Sequence, residues 1–211
     1  MPGGDRYYNI NGNLYPSVTT ALSIIRKPFL ERWRGELGNE EADRVRDEAG
    51  DLGSEVHNCC QAIDEGHQYY CNSEMVEKIV ETYKQWTFAM VKTWVEVEKV
   101  VHCDHYQYAG RLDRVAVLKG DKKPTVIDLK TSPVASKDMG LQLAAYQHCL
   151  EDMGITPIRR IIIRLDKKNP GKKATVHEFS DYQKDFRLFL YALEIYKHFE
   201  GGKKDVNVVS A

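Results

Sequence analysis

Two short stretches hold the residue types that do chemistry: Gly110-Arg111-Leu112-Asp113, and Val126-Ile127-Asp128-Leu129-Lys130-Thr131. Side chains alternate along a strand, so Val126, Asp128 and Lys130 share one face while Ile127 and Leu129 take the other. A carboxylate and an amine then project together from an otherwise apolar segment. Each needs the other or a ligand, because burying either alone is costly. If 111–118 and 125–130 are neighbouring strands, Asp113 comes beside Asp128. Two close carboxylates repel, and a divalent cation relieves them. An oxygen donor set favours Mg²⁺ or Mn²⁺ over zinc, and a lysine beside the ion can orient water and offset phosphate charge. A bare Asp-x-Lys is also read as a structural ion pair on an edge strand, so the surrounding residues decide between the two.

Those residues have to be positioned by the rest of the chain. A strand over 7–10 enters a tight turn at Asn11-Gly12-Asn13. Helices follow over 17–25 and 29–37, the second with Pro28 in its first turn. A charged helix over 39–63 is weakened or bent near Gly50 and Gly53. A further helix spans 74–92, with Val76, Ile79, Val80 and Tyr83 at helical spacing. The period then drops from 3.6 to 2. Strands around 95–100, 111–118 and 125–130 form a meander, the last two joined by a turn at Gly120-Asp121-Lys122-Lys123. A helix over 137–153, an apolar and central strand over 158–165, a turn at Asn169-Pro170-Gly171 and a strand over 174–179 come next. Ser180 with Gln183 reads as a capping box opening a last helix that reaches 198. The tail beyond Gly201-Gly202 is expected to fray. This order predicts one α/β domain over 1–211: a helical N-terminal part (about 15–92) and a core (about 93–200) with a central mixed sheet flanked by helices.

Composition excludes several classes. The 211 residues are 42% hydrophobic and 29% charged, an ordinary globular balance. No apolar run approaches the roughly 18–20 residues that span a bilayer, and no signal peptide is visible, so no membrane partner is expected. Five cysteines without regular spacing argue against a disulfide framework, a zinc ribbon or an iron–sulfur cluster. They fit a reducing, cytoplasmic setting. Net charge is −1, but the charges are segregated. Residues 153–173 hold seven basic side chains against Asp166 alone, and residues 35–55 hold eight acidic ones against Arg44 and Arg46. Solvated faces are one reading; a local nucleic-acid grip is the other.

The chain resembles the PD-(D/E)xK nucleases, with a restriction-endonuclease-like core, in their RecB-like exonuclease branch. Gly53-Ser54-Glu55-Val56-His57 is similar to the branch's G-x-x-x-H helix segment. Glu98 stands ahead of the Gly-Arg-Leu-Asp strand, where the branch has an acidic residue; Glu96 competes for that place. Asp128-Leu129-Lys130-Thr131-Ser132 resembles D-x-K-T-S, and Gln142-Leu143-Ala144-Ala145-Tyr146 resembles Q-x-x-x-Y. Tyr15-Pro16-Ser17-Val18-Thr19-Thr20 and Phe29-Leu30-Glu31-Arg32-Trp33-Arg34 look like phage-type exonucleases and the mitochondrial genome-maintenance exonuclease. The likeness runs over about 15–196.

The resemblance implies that Asp113, Asp128 and the Leu129 carbonyl bind one or two Mg²⁺ or Mn²⁺ ions. His57 would be a further ligand that biases the site toward Mn²⁺. Lys130 would be catalytic, Glu98 would hold water or tune the lysine, and Gln142 and Tyr146 would position DNA or the lysine. Read without it, His57 is an ordinary helix histidine and Gln142 and Tyr146 are helix packing. Arg26, Lys27, Arg32, Arg34, Arg159 and Arg160 are candidates to hold phosphates, and Trp33 to stack on bases or to sit in the core. The expected activity is a metal-dependent DNA exonuclease leaving 5′-phosphates, in recombination, repair or end processing, on single-stranded or duplex ends. A structure-selective or nicking endonuclease and a non-catalytic DNA-binding protein are the alternatives. No Walker-type segment accompanies it, so no helicase motor is expected. An oligomer, or a single-strand annealing or recombination partner, stays open.

Overall fold

The computed structural model describes residues 5–132, 136–200 and 207–210. Strands β1 (Arg6–Ile10) and β2 (Asn13–Pro16) form a hairpin. Its turn residues Asn11 and Gly12 both have left-handed φ (51° and 86°), the geometry that matches strand twist. Helix α1 (Val18–Ala21) is a single turn capped by Ser17, whose Oγ accepts the Thr20 N–H at 3.0 Å. A 3₁₀ turn over Leu22–Ile24 follows, so the expected helix over 17–25 is split. Helix α2 (Pro28–Leu37) starts on Pro28 as expected. Helix α3 (Asn39–Asp64) runs unbroken through Gly50 and Gly53, where a weak point was expected. Helix α4 (Glu74–Met90), capped by Ser73, passes without a loop into β3 (Val91–Cys103).

The remaining elements are β4 (Tyr108–Leu118), β5 (Pro124–Lys130), α5 (Asp138–Asp152), β6 (Arg159–Arg164), β7 (Thr175–Glu178) and α6 (Tyr182–Glu200). The α6 cap differs from the expected capping box. Asp181 Oδ1, not Ser180, accepts the Lys184 N–H at 3.1 Å, because the helix begins one residue later than the box requires. Strand β8 (Asn207–Ser210) was not foreseen; it lies parallel to β1 and contradicts a frayed end for those residues. Residues 201–206 of the same tail lie outside the described residues.

Two mixed sheets result. One has the order β2-β1-β8, the other β3-β4-β5-β6-β7. In the larger, β3, β4 and β5 form the expected antiparallel meander, β5 and β6 are parallel across α5, and β7 returns antiparallel. The middle strand is β5; β6 lies beside it, paired on both sides as expected of a central strand. Alternation sorts the apolar side chains into two cores. Val115, Val126 and Ile162 pack with Leu143, Leu150, Phe189 and Leu193 of α5 and α6. Ala116, Ile127, Leu129, Ile161 and Ile163 pack with Val56, Ile79, Val80 and Tyr83 of α3 and α4. The layers are helix, sheet, helix, and the polar members of β5 stand at one end of the buried middle strand. No helix among the described residues is long and apolar enough to cross a membrane.

Candidate active site

A defect in the sheet makes the site. The β4–β5 ladder runs from Val117↔Pro124 to Arg114↔Ile127 and stops. Just beyond, the Leu129 N–H donates to the Asp113 side chain at Oδ2 (2.7 Å). A carboxylate thus takes a backbone donor that would otherwise be left without a partner. Strand β5 stays paired to β6 as far as Lys130↔Arg164, so only its β4 side opens. On the next strand Glu98 has φ 48°, a left-handed backbone costly for a non-glycine residue in a strand. Its carboxylate is held there by the Arg114 guanidinium at 2.7 Å.

His57 reaches the opening from α3. Its Nε2 lies 3.1 Å from the Leu129 carbonyl, which only accepts, so Nε2 carries the proton. Its Nδ1 lies 3.5 Å from Asp113 Oδ2. The ligand atoms of His57, Glu98 and Asp113 all lie within 4.8 Å of one another. Three electron-pair donors facing one small space are relieved by a proton or a cation, and this donor set fits a divalent ion. Glu98, expected to hold a metal-bound water or tune the lysine, stands among the groups that could hold an ion. Glu96 is engaged elsewhere, 3.6 Å from Lys99.

Asp128 and Lys130 form the adjoining half. Asp128 is 1% exposed, and its Oδ2 meets the Lys130 ammonium at 2.5 Å as an ion pair without good hydrogen-bond alignment. Gln142 Nε2 donates to Asp128 Oδ1 at 2.9 Å and contacts the Tyr146 hydroxyl at 3.3 Å. Burial, with Asp113 adding to it and Lys130 opposing, pushes the Asp128 carboxyl up to about 6. Burial lowers the Lys130 affinity for its proton, but Asp128 and Asp113 outweigh it and hold the ammonium above its ordinary value. Burial and the Asp113 charge likewise raise Glu98, against Arg114 and His57. Tyr146 can approach because residue 110 is glycine: a Cβ there would sit 2.7 Å from Tyr146 Cε1.

A family model described as the PD-(D/E)XK nuclease superfamily matches residues 29–201. The chain belongs to this superfamily. A search of curated proteins finds no match. Among solved structures, one named SSO0001 is 16% identical over 93% of this chain and 79% of its own, with a TM-score of 0.43. A protein from Eubacterium rectale named "Putative exonuclease" is 10% identical over 73% of this chain and 69% of its own, with a TM-score of 0.49. Both likenesses are too distant to carry an argument, and the assignment rests on the family match.

The nuclease core has a buried ionic support that the sequence did not suggest. Arg114, fully buried, joins Glu98 to Asp64, with its Nε 2.8 Å from Asp64 Oδ2. The Tyr83 hydroxyl donates to that same oxygen at 2.6 Å. An arginine inside a strand would normally signal an exposed face, and Asp64 lies 50 residues away in sequence, so nothing local linked them.

In front, an open cleft of about 440 Å³ is lined by His57, Glu98, Asp113 and Lys130 together with Arg6, Asn58, Arg111 and Thr131. Arg6 and Arg111 are exposed and were not singled out in the sequence. Alternation could have flagged Arg111, two residues before Asp113. The foreseen nucleic-acid residues fare differently. Arg26 is paired with Glu31, Lys27 with Asp138, Arg34 with Asp43, and Arg159 with Glu178 and Asp121. Arg32 is exposed and Trp33 half-buried, the latter outside the buried cores. Arg160 is a correction: it is 2% exposed, paired with Asp185 at 2.9 Å, and points into the fold beneath α5. Adjacent strand residues face opposite ways, so Arg159 and Arg160 could not both serve one surface. Lys168, Lys172 and Lys173 are exposed on the β6–β7 hairpin, which leaves the sheet at the end where β5 stops at Lys130.

Proposed function

We propose that this superfamily member hydrolyses DNA phosphodiester bonds, and that it does so as an exonuclease of the RecB-like branch in recombination, repair or end processing in the cytoplasm. The observation that carries the reading is the convergence of Asp113, Asp128, Lys130, His57 and Glu98 at one strand opening that faces an accessible cleft. His57, Glu98 and Asp113 would hold a Mg²⁺ or Mn²⁺ ion, with Asp128 and the Leu129 carbonyl at its margin. A divalent ion there supplies charge neutralisation at the phosphate and a more acidic water.

The chain's own groups do the rest. Lys130 stays protonated and, with its side chain 27% exposed, presents its ammonium to the cleft. It orients water and offsets phosphate charge as the nucleophile attacks. Asp128 fixes the lysine, Gln142 fixes Asp128, and Tyr146 supports Gln142. Arg6 and Arg111 lie where they can bind the phosphates flanking the cut bond. The preference for ends rests on the resemblance of the N-terminal motifs to phage-type exonucleases. The test is the wild-type enzyme with Mg²⁺ or Mn²⁺ on linear single-stranded, linear duplex and closed circular DNA. Loss of linear DNA with circles intact is expected. Cutting of circles would replace the exonuclease reading by an endonuclease one, and binding without cutting would leave a DNA-binding protein.

A further inference from the structure

A second cluster of ligating side chains lies away from the strand opening. Cys103 ends β3, and His148 and Asp152 stand one helical turn apart near the end of α5. Their ligand atoms all lie within 4.8 Å of one another. Gln142, which touches Asp128, is ten residues before Asp152, about 15 Å along the helix at 1.5 Å per residue. The two clusters are therefore separate.

We propose that Cys103, His148 and Asp152 form a zinc site that pins the β3–β4 turn to the C-terminal half of α5. The donor set is one sulfur, one imidazole and one carboxylate, which suits the borderline-soft Zn²⁺. The strand opening offers only nitrogen and oxygen and suits harder ions. A tetrahedral zinc with bonds of about 2.0–2.3 Å sets its ligand atoms roughly 3.3–3.8 Å apart. Closing from separations of at most 4.8 Å needs a small movement, and Asp152 is exposed and able to make it.

One feature beyond the cluster, the seating of the His148 ring, prepares it for a cation. Burial, opposed by the backbone N–H groups of Tyr106 and His105, holds the Cys103 thiol above its ordinary value. The Cys103 sulfur and an Asp152 carboxylate oxygen lie within 4.8 Å of each other, so an ion binding both would displace the thiol proton. The His148 ring is stacked on Phe186 at 4.2 Å, and its Nδ1 meets the Tyr182 hydroxyl at 3.4 Å. That fixes the ring and leaves Nε2 for a ligand role, as outer partners of zinc-bound histidines do.

The experiment uses the full chain, stripped with chelator and titrated with Co²⁺ as a spectroscopic stand-in for Zn²⁺. A thiolate-to-cobalt charge-transfer band saturating at one equivalent is expected, since the strand opening has no sulfur ligand to produce one. Cys103→Ser should abolish the band with the circular dichroism spectrum unchanged. His148→Ala and Asp152→Asn, neither of them buried in the core, should weaken Co²⁺ at least tenfold and abolish the zinc-induced rise in Tm. Cys59 and Cys71, whose sulfurs lie 3.8 Å apart, are the rival thiol source. The Cys59→Ser/Cys71→Ser protein should keep the band. No band in the wild type, a band surviving in Cys103→Ser, or one lost in the Cys59/Cys71 double variant would overturn the proposal.

Discussion

Replacing Asp128 by Asn should inactivate the enzyme and stabilise it. Asp128 is 1% exposed, and burial raises its carboxyl from an ordinary 3.8 to about 6. At about 1.36 kcal/mol per pH unit, this rise makes the ionised carboxylate cost the folded state roughly 3 kcal/mol. The sign follows from linkage. Below about pH 4 the group is protonated in both folded and unfolded chains and costs nothing. Between about 4 and 6 the unfolded chain gives up its proton first, so stability falls as pH rises. Above about 6 the whole cost is present. Asparagine mimics the protonated form and still accepts the Gln142 bond, but its amide cannot pair with Lys130. Roughly 3 kcal/mol is therefore a ceiling, and a gain of about 1–3 kcal/mol, or about 3–10 °C in Tm, is expected at pH 7.5 in EDTA. The gain should shrink to nothing near pH 4. Saturating Mn²⁺ should stabilise the wild type more than the variant, because the ion neutralises the carboxylate pair. Equal Tm values at pH 7.5, or a gain as large at pH 4, would refute the reasoning.

Two further outcomes follow from the structure. Arg114→Met leaves Asp64 and Glu98 without their shared cation, which should cost about 3–5 kcal/mol in urea unfolding and weaken metal binding; a loss below about 1 kcal/mol would contradict the buried network. Replacing Lys168, Lys172 and Lys173 together by Ala should lower the salt dependence of duplex binding by up to about 2.7 in slope with the chemical step preserved, and an unchanged slope would remove the β6–β7 hairpin from the DNA path.

The sequence carried the parts of this account that depend on period. The change from 3.6 to 2 near residue 91 gave the order of helices and strands, and alternation along β5 put Asp128 and Lys130 on one face. What it concealed depends on contacts distant along the chain. The left-handed Glu98 cannot be read from strand pattern, and it is this conformation that accompanies its carboxylate's approach to His57 and Asp113. Arg114 and Arg160 look like surface charges, and both are buried because acids from α3 and α6 meet them. Arg6 reaches the cleft from the opposite end of the chain. The short strand β8 has only four residues to announce itself and is held by pairing with β1.

The central claim is that the opening beside β5 is a metal-dependent phosphodiester-cleaving centre with Lys130 in it. The most direct measurement compares wild type with Lys130→Ala on end-labelled linear DNA, with Mg²⁺, with Mn²⁺ and with EDTA. Wild type should cut only with a metal, and Lys130→Ala should lose at least about 10²-fold in rate with Tm little changed. Cutting at the full rate by Lys130→Ala, or by wild type in EDTA, would contradict the account.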